Sequence, residues 1–308
     1  MNELKRKVLN NGKEIPLMGL GTHRILSKEC VNVVYNSIKD GVRLIDNAPR
    51  YQNEKEVGEG IQKALTENIC KREDLFIISK IWLNDREDPE TAIKKTLKNL
   101  QLDYLDLYLD HWPTGKDYRE EATDRFNCVS VYDFWPKMEK LVEKELTKSI
   151  GVSNYNIQCL NNLLSFCKIK PAVNEIEFQL YYYQKTMKEF CDKENITVIA
   201  YYPLSHGNVA RIYIAEHYGE FNVFEEKIIK DLAQKYQKDV GQIILNWHHH
   251  QGVIPIPATN TVYRMGNNLK ALEFTMEDED YVLISKYFAP LRKKFCVGNK
   301  YFGVNILG

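Results

Sequence analysis

The feature that most narrows the fold is a rhythm. Eight short apolar runs recur along the 308-residue chain, LMGLG, RLIDNA, LFIISK, LDLYLDH, SIGVS, AVNEIE, TVIAYY and GVIPIP, with helix-like stretches between them. Runs this short and this apolar read as strands buried on both faces. Strands of that kind separated by helices belong to parallel α/β architectures, and eight such units describe a (β/α)8 TIM barrel. Helices are expected over 27–40, 53–67, 88–99, 133–144, 184–194 and 224–237. Asp88 followed by Pro89 is a good helix start, because proline suits the first helical position and aspartate satisfies free amides. In the second helix Val57, Ile61 and Leu65 share one face. Asn11-Gly12 between apolar flanks reads as a β-hairpin turn ahead of the barrel, placed to cover its bottom. A doubly wound open sheet would want a glycine-rich turn after the first strand; Gly19-Leu20-Gly21-Thr22 lacks the third glycine and does not run straight into a helix.

Nothing resembling a linker or low-complexity segment interrupts the chain, so one domain spanning 1–308 is expected. A hydrophobic content of 44% allows a sizeable core. Lysine plus arginine and aspartate plus glutamate both number 42, a balance with no pull toward nucleic acid or an anionic membrane. Seven scattered cysteines without a CxxC pair suggest free thiols in a reducing, cytoplasmic setting. No signal peptide and no membrane-length apolar run is visible.

The chemistry sits at strand ends. Asp46, Tyr51, Lys80 and His111 lie at or just past the downstream ends of three successive runs, RLIDNAPRY, LFIISK and LDLYLDH. In a parallel barrel those ends share one rim, the rim where barrel enzymes work. A free phenol has a pKa of about 10. A nearby ammonium lowers it, and a carboxylate holds that ammonium charged. Tyr51, Lys80 and Asp46 are the right types, and His111 can orient a carbonyl oxygen. Such a set donates a proton to a carbonyl, while no side chain supplies the matching hydride, which points to a nicotinamide cofactor and an oxidoreductase. Singly, each residue has a plainer role: a structural ion pair, one of nineteen tyrosines, a core histidine. The conjunction carries the reading.

The blocks GVRLIDNAPRYQNEKEVGEGI, IISKIW, YLDLYLDHWP, SIGVSNY, VNEIEFQLYYYQ and ITVIAYYPL, in this order, resemble the signature blocks of the aldo-keto reductases, and most the aldose and xylose reductase branch. The likeness runs from about Leu9 to Phe274. It implies a barrel with a C-terminal substrate loop and NAD(P)H-dependent reduction of aldehydes or ketones, aldoses among them, to alcohols. It implies Tyr51 as proton donor, Lys80 and Asp46 as the pair that lowers its pKa, and His111 as the substrate-orienting imidazole. Ser153 and Asn154 match the pair that binds the nicotinamide carboxamide, and Tyr201 the tyrosine that stacks on the ring. Further cofactor contacts are implied for Thr22, Asp46, Glu175, Leu204, Pro257, Thr259, Asn260, Arg264 and Asn268. Substrate contacts are implied for His23, Tyr51, His111 and the pocket-wall Trp112, and the C-terminal residues Phe295, Cys296 and Tyr301 fall where the family's tail covers the mouth. The expected partner is a small carbonyl substrate, with no metal, nucleic acid or membrane, and the chain a monomer or weak homodimer.

Three departures from the family pattern stand out. Ala258 replaces the lysine expected on the extra phosphate of NADPH; Arg264 remains, so a weakened NADPH preference that admits NADH is expected. Glu175 stands where the family has a glutamine facing the carboxamide. As a carboxylate it would favour the oxidised, positive ring; protonated or turned aside, it would not. His23 replaces a pocket tryptophan, and with Tyr202 and His206 it suggests a more polar pocket. The run His248-His249-His250 reads as a helix C-terminus rather than a metal site, and Tyr181-Tyr182-Tyr183 as packing at the barrel mouth rather than a nucleic-acid platform. Two rival readings are a cofactor-holding subunit with little turnover and a metal-dependent barrel enzyme.

Overall fold

The computed structural model describes residues 5–114, 129–205 and 222–296. It opens with an antiparallel hairpin, β1 (Arg6–Val8) and β2 (Glu14–Pro16), with Lys7 opposite Ile15. The turn is longer than a two-residue Asn-Gly turn. The Gly12 amide donates to Leu9 O at 2.9 Å, and Gly12 takes the left-handed conformation (φ +80) before Lys13. Glycine is needed there because a side chain disfavours that region.

All eight apolar runs are strands, and all are parallel. They are β3 (Leu20–Gly21), β4 (Leu44–Asp46), β5 (Phe76–Ile81), β6 (Leu107–Asp110), β7 (Ile150–Ser153), β8 (Val173–Glu177), β9 (Thr197–Tyr201) and β10 (Ile254–Pro255), each paired with the next in sequence. The ends of this sheet meet: Gly19 N donates to Pro255 O and Gly21 N to Pro257 O, both at 3.1 Å. A side chain at position 21 could not fit at this seam, since a Cβ would stand 2.7 Å from Ile256 O. The fold is the expected (β/α)8 barrel.

The helices α1 (Ser27–Lys39), α2 (Glu54–Thr66), α3 (Pro89–Leu100), α4 (Val131–Glu143), α5 (Ile157–Leu164) and α6 (Lys185–Lys193) pack outside, burying Val57 and Ile61 as the periodicity requires. Asp88 caps α3 by accepting from Thr91 N at 3.1 Å. Two boundaries differ from expectation. Helix α4 starts before Asp133, because Ser130 caps it by accepting from the Asp133 amide. The stretch expected from Phe224 is a 3-10 turn (Val223–Glu225) followed by a helix from Lys227 to Tyr236. The extended residue between them, Glu226, is held by the Tyr181 and Tyr287 hydroxyls.

Side chains alternate along a strand, so every second residue faces the barrel axis. Leu44, Phe76, Ile78, Leu107, Leu109, Val173, Ile199 and Ile254 form one inner cluster, and Leu9 and Ile15 of the hairpin join it from below. Asn11 and Asn10 tie the hairpin to the starts of β7 and β8, donating to Ser149 Oγ at 2.8 Å and Pro171 O at 2.9 Å. The hairpin therefore covers the bottom, as its sequence suggested. Continuing the same alternation upward places Asp46, Lys80, His111, Ser153, Glu175 and Tyr201 inward at the top.

Candidate active site

The top of the barrel opens into a cavity of about 510 Å³, within the usual range of about 300–1,000 Å³ for small-molecule sites. Lys80 lies at its floor, fully buried, with its ammonium in a salt bridge to Asp46, 3.2 Å from Glu175 Oε1 and 3.0 Å from Tyr51 Oη. Burial opposes this charge, yet the Asp46 and Glu175 carboxyls outweigh it and raise the lysine's pKa. Tyr51 follows β4 on a 3-10 turn, Pro49–Tyr51, closed by the left-handed Gln52. Its phenol does not behave as the spacing alone suggested. Burial pushes its pKa well up, the Lys80 ammonium pulls it down by less, and Asp46 and Glu175 add to the rise, so the phenol keeps its proton. His111 stands across from it, with ring centroids 6.1 Å apart. Burial first, then Lys80, His23 and Arg50, lower the His111 pKa well below the usual value, so the imidazole is neutral. Its Nδ1 is buried without a hydrogen-bond partner.

Glu175 is not turned aside. It is nearly fully buried, it lines the cavity, and its Oε2 accepts from no protein donor. Burial, then the neighbouring Asp46, raise its pKa to about 8, against the pull of Lys80. The Asp46 pKa is raised too, chiefly by burial, while the Lys80 ammonium opposes the rise. Around this centre the strand ends interlock. Asn154, in the left-handed conformation (φ +63), donates from Nδ2 to His111 O at 2.9 Å and accepts from Tyr201 Oη at 2.7 Å. Ser153 Oγ donates to Glu175 O at 2.9 Å. His23 packs on Tyr51 at 4.8 Å, and the Tyr202 hydroxyl lies 3.5 Å from its Nδ1. Trp112 clusters with Trp82, Leu83 and Cys296.

The residues present fit a nicotinamide dinucleotide. The cavity extends from His111 and Tyr51 past Glu175 and Tyr201 to Leu204, Pro257, Thr259, Asn260 and Arg264. An adjoining recess shares Leu204, Thr259 and Arg264 and adds Asn268. Ala258 lines both, leaving Arg264 as the cation where the chain enters its helix. Thr22 stands apart: it is buried behind the rim, its hydroxyl donating to Asp46 O at 2.8 Å. Glu175 Oε2, orphaned and buried in the wall, is the acceptor a carboxamide would satisfy.

Several residues that support the site escaped the sequence reading. Arg86 pairs with the Asp110 carboxylate at 2.5 Å and donates to Trp112 O at 2.6 Å, while Tyr155 Oη donates to Asp110 at 2.6 Å. This buried brace fixes the segment that carries His111. Glu177 accepts from the amides of Phe295 and Cys296 at 2.8 and 2.7 Å, which brings the C-terminal segment to the cavity mouth. Trp82 meets the His111 ring edge-on at 5.3 Å; its place two residues after Lys80, just past the end of β5, was the available signal. Tyr301 and His206 lie outside the described residues.

The discounted motifs have structural roles. Both His248 ring nitrogens hydrogen-bond backbone oxygens, of Ile244 and Phe178, and His250 stacks on Tyr281. Tyr181 packs on Phe288 and donates to Glu226. Among the described residues no group of three or more His, Cys, Asp or Glu is placed to hold a metal ion, no helix is long and apolar enough to cross a membrane, and none of the six cysteines is in a disulfide.

A phenol that keeps its proton, set against a buried ammonium and a neutral imidazole on a barrel rim, defines the class: a barrel oxidoreductase acting on carbonyl compounds. Comparison with known proteins gives the same answer. The Aldo/keto reductase family model matches residues 17–287. An NAD(P)H-dependent D-xylose reductase of Pyricularia oryzae is 37% identical over 90% of each chain, and an aldo-keto reductase, family 1 member A1, of Gallus gallus is 39% identical over 88% of this chain and 85% of its own. The Bombyx mori aldo-keto reductase solved in complex with NADP superposes with a TM-score of 0.89 at 29% identity, covering all of both chains. The chain belongs to the aldo/keto reductase family. It is an NAD(P)H-dependent enzyme that reduces aldehydes or ketones to alcohols. The subunit reading with little turnover gains no support from these relatives.

Proposed function

We propose that Tyr51 is the proton donor of this reductase, that Lys80 and Asp46 set its acidity, and that His111 orients the carbonyl oxygen. The observation that carries this is the continuous chain from the Asp46 carboxylate through Lys80 Nζ to Tyr51 Oη, ending in the cavity that His111 shares. When bound, the reduced nicotinamide supplies hydride to the carbonyl carbon. The phenol, its proton held by burial, yields it only to a stronger base, and the developing alkoxide is such a base. Lys80 then faces a phenolate 3.0 Å away, which its charge stabilises. Neutral His111 can donate one hydrogen bond to the same oxygen without competing for the proton.

Ser153, Asn154, Glu175 and Tyr201 hold the nicotinamide, with Asp46 and Thr22 behind it. Leu204, Pro257, Thr259, Asn260, Arg264 and Asn268 hold the rest of the dinucleotide, and NADH is accepted beside NADPH because Ala258 contributes no charge. The substrate is a small hydroxylated aldehyde, an aldose among others. The polar groups His23 and Tyr202 beside Trp82 and Trp112 support this, as do relatives named for D-xylose. The chain acts as one barrel domain, a cytoplasmic monomer or weak homodimer with no nucleic-acid or membrane partner.

The test is a steady-state assay of reduced-nicotinamide absorbance with an aromatic aldehyde and an aldose, each with NADPH and NADH. Turnover with both aldehydes that vanishes in Tyr51→Phe supports the assignment. Turnover that survives the substitution would move the proton donor elsewhere.

A further inference from the structure

Glu175 places a second carboxyl in a buried site that already holds Asp46. We propose that Glu175 couples the charge on the nicotinamide to a proton, so that binding of the oxidised cofactor expels a proton held by the Asp46 and Glu175 carboxyls while binding of the reduced cofactor does not. The proposal rests on the reading of this cavity as the nicotinamide site.

The geometry supplies two carboxyls and one cation. Lys80 Nζ contacts Asp46 and, at 3.2 Å, Glu175 Oε1. Three buried groups with one positive charge are therefore neutral as a set only when one carboxyl is protonated. Among the described residues no second cation pairs with the two carboxyls. From β4 comes Asp46, from β5 Lys80, and from the turn after β4 the protonated Tyr51; past β6 stands neutral His111. Ser153 at the end of β7, Asn154 just past it and Tyr201 on β9 are not ion-pair partners of Glu175. Arg24, Arg50 and Arg264 line the cavity, but none of them forms an ion pair with Glu175.

A positive ring beside Glu175 supplies the missing charge. It favours the carboxylate and lowers the pH at which the proton leaves; the neutral reduced ring offers no such gain. The sign follows. Burial, then Asp46, push the Glu175 pKa up to about 8 when no charged ring stands beside it. With the oxidised ring bound it titrates lower, so affinity for oxidised cofactor rises with pH between those two values and levels off above about 8. Glu175 is thus charged beside the oxidised ring and protonated beside the reduced one.

The experiment titrates NADP⁺ and NADPH separately into wild-type protein and into Glu175→Gln by quenching of tryptophan fluorescence, from about pH 6 to about pH 9. Taking the ratio of the two dissociation constants cancels titration of the 2′-phosphate, which both cofactors carry. In the wild type, preference for NADP⁺ over NADPH should rise roughly three- to tenfold across this range, the linkage limit being tenfold per pH unit. In Glu175→Gln it should stay flat. Calorimetry at about pH 7 in two buffers of different ionisation enthalpy should show more proton release on binding of NADP⁺ than of NADPH in wild type and no such difference in the variant. A flat wild-type ratio, or an equal slope in the variant, overturns the proposal while leaving the cavity reading intact. Tyr201→Ala separates the two: weakened binding of both cofactors at every pH supports the cavity reading, and unchanged binding overturns it together with the proposal.

Discussion

At the lower ends of the barrel strands, Leu9 and Ile15 of the hairpin close over a layer of Leu44, Phe76, Leu107 and Val173. Two to four residues along those same strands stand Asp46, Lys80, His111 and Glu175, lining the cavity or forming its floor. The backbone is continuous and the alternation unchanged; only the side chains differ. The lower layer buries apolar surface, which stabilises at roughly 25 cal/mol per Å². The upper layer buries charges that are tolerable only as a mutually compensated set. Left-handed residues do not separate the two ends: Asn154 and Tyr202 take that conformation just past β7 and β9, and Asn68, Gln101, Glu145 and Asn195 take it just past helices, before strands begin. One end of the fold supplies stability and the other holds the reactive groups.

That contrast can be broken in graded steps. The largest effect is expected from Tyr51→Phe, which removes the proton and little else. Its kcat/KM should fall by on the order of 10²–10⁴, with a melting temperature close to wild type; a comparable loss of stability would show that the rim also holds the fold together. Lys80→Met should do both kinds of damage. It leaves Asp46 and Glu175 buried without a cation, which should cost about 3–5 kcal/mol in urea unfolding besides activity. Full stability in this variant would mean that both carboxyls simply protonate. Leu107→Ala, from the lower layer, should cost about 2–5 kcal/mol while leaving the KM of the folded enzyme unchanged, and a shift in KM would contradict the separation of the two ends. The smallest change sharpens the cofactor reading. Ala258→Lys should improve NADPH binding relative to NADH by about 1.5–3 kcal/mol, or tenfold and more, read from the two dissociation constants.

Much of this was legible in the chain. The eight runs became eight parallel strands because a strand buried on both faces carries its signature in a few consecutive residues. Asp46, Lys80 and His111 could be placed together because parallel strands end on one rim whatever their lateral order. Local caps were readable at Asp88 and less so at Ser130, whose partner Asp133 looked like the start itself. At Tyr51 the neighbours tell only part of the story: the Lys80 ammonium does pull the phenol's pKa down, but burial, a property of the whole cavity, outweighs it.

By itself the sequence determined what is local or periodic: the strand-helix alternation, the hairpin glycine, the inward facing of every second residue, and the kind of chemistry its rim residues can perform. Tertiary structure alone decided what depends on residues far apart. Glu177 reaches Phe295 across 118 positions, and Tyr155 reaches Asp110 across 45. Glu175 meets Lys80 only because β5 and β8 curve around the same axis. Pair energies and pKa shifts depend on distances and on exclusion of water, and both exist only once the barrel has closed.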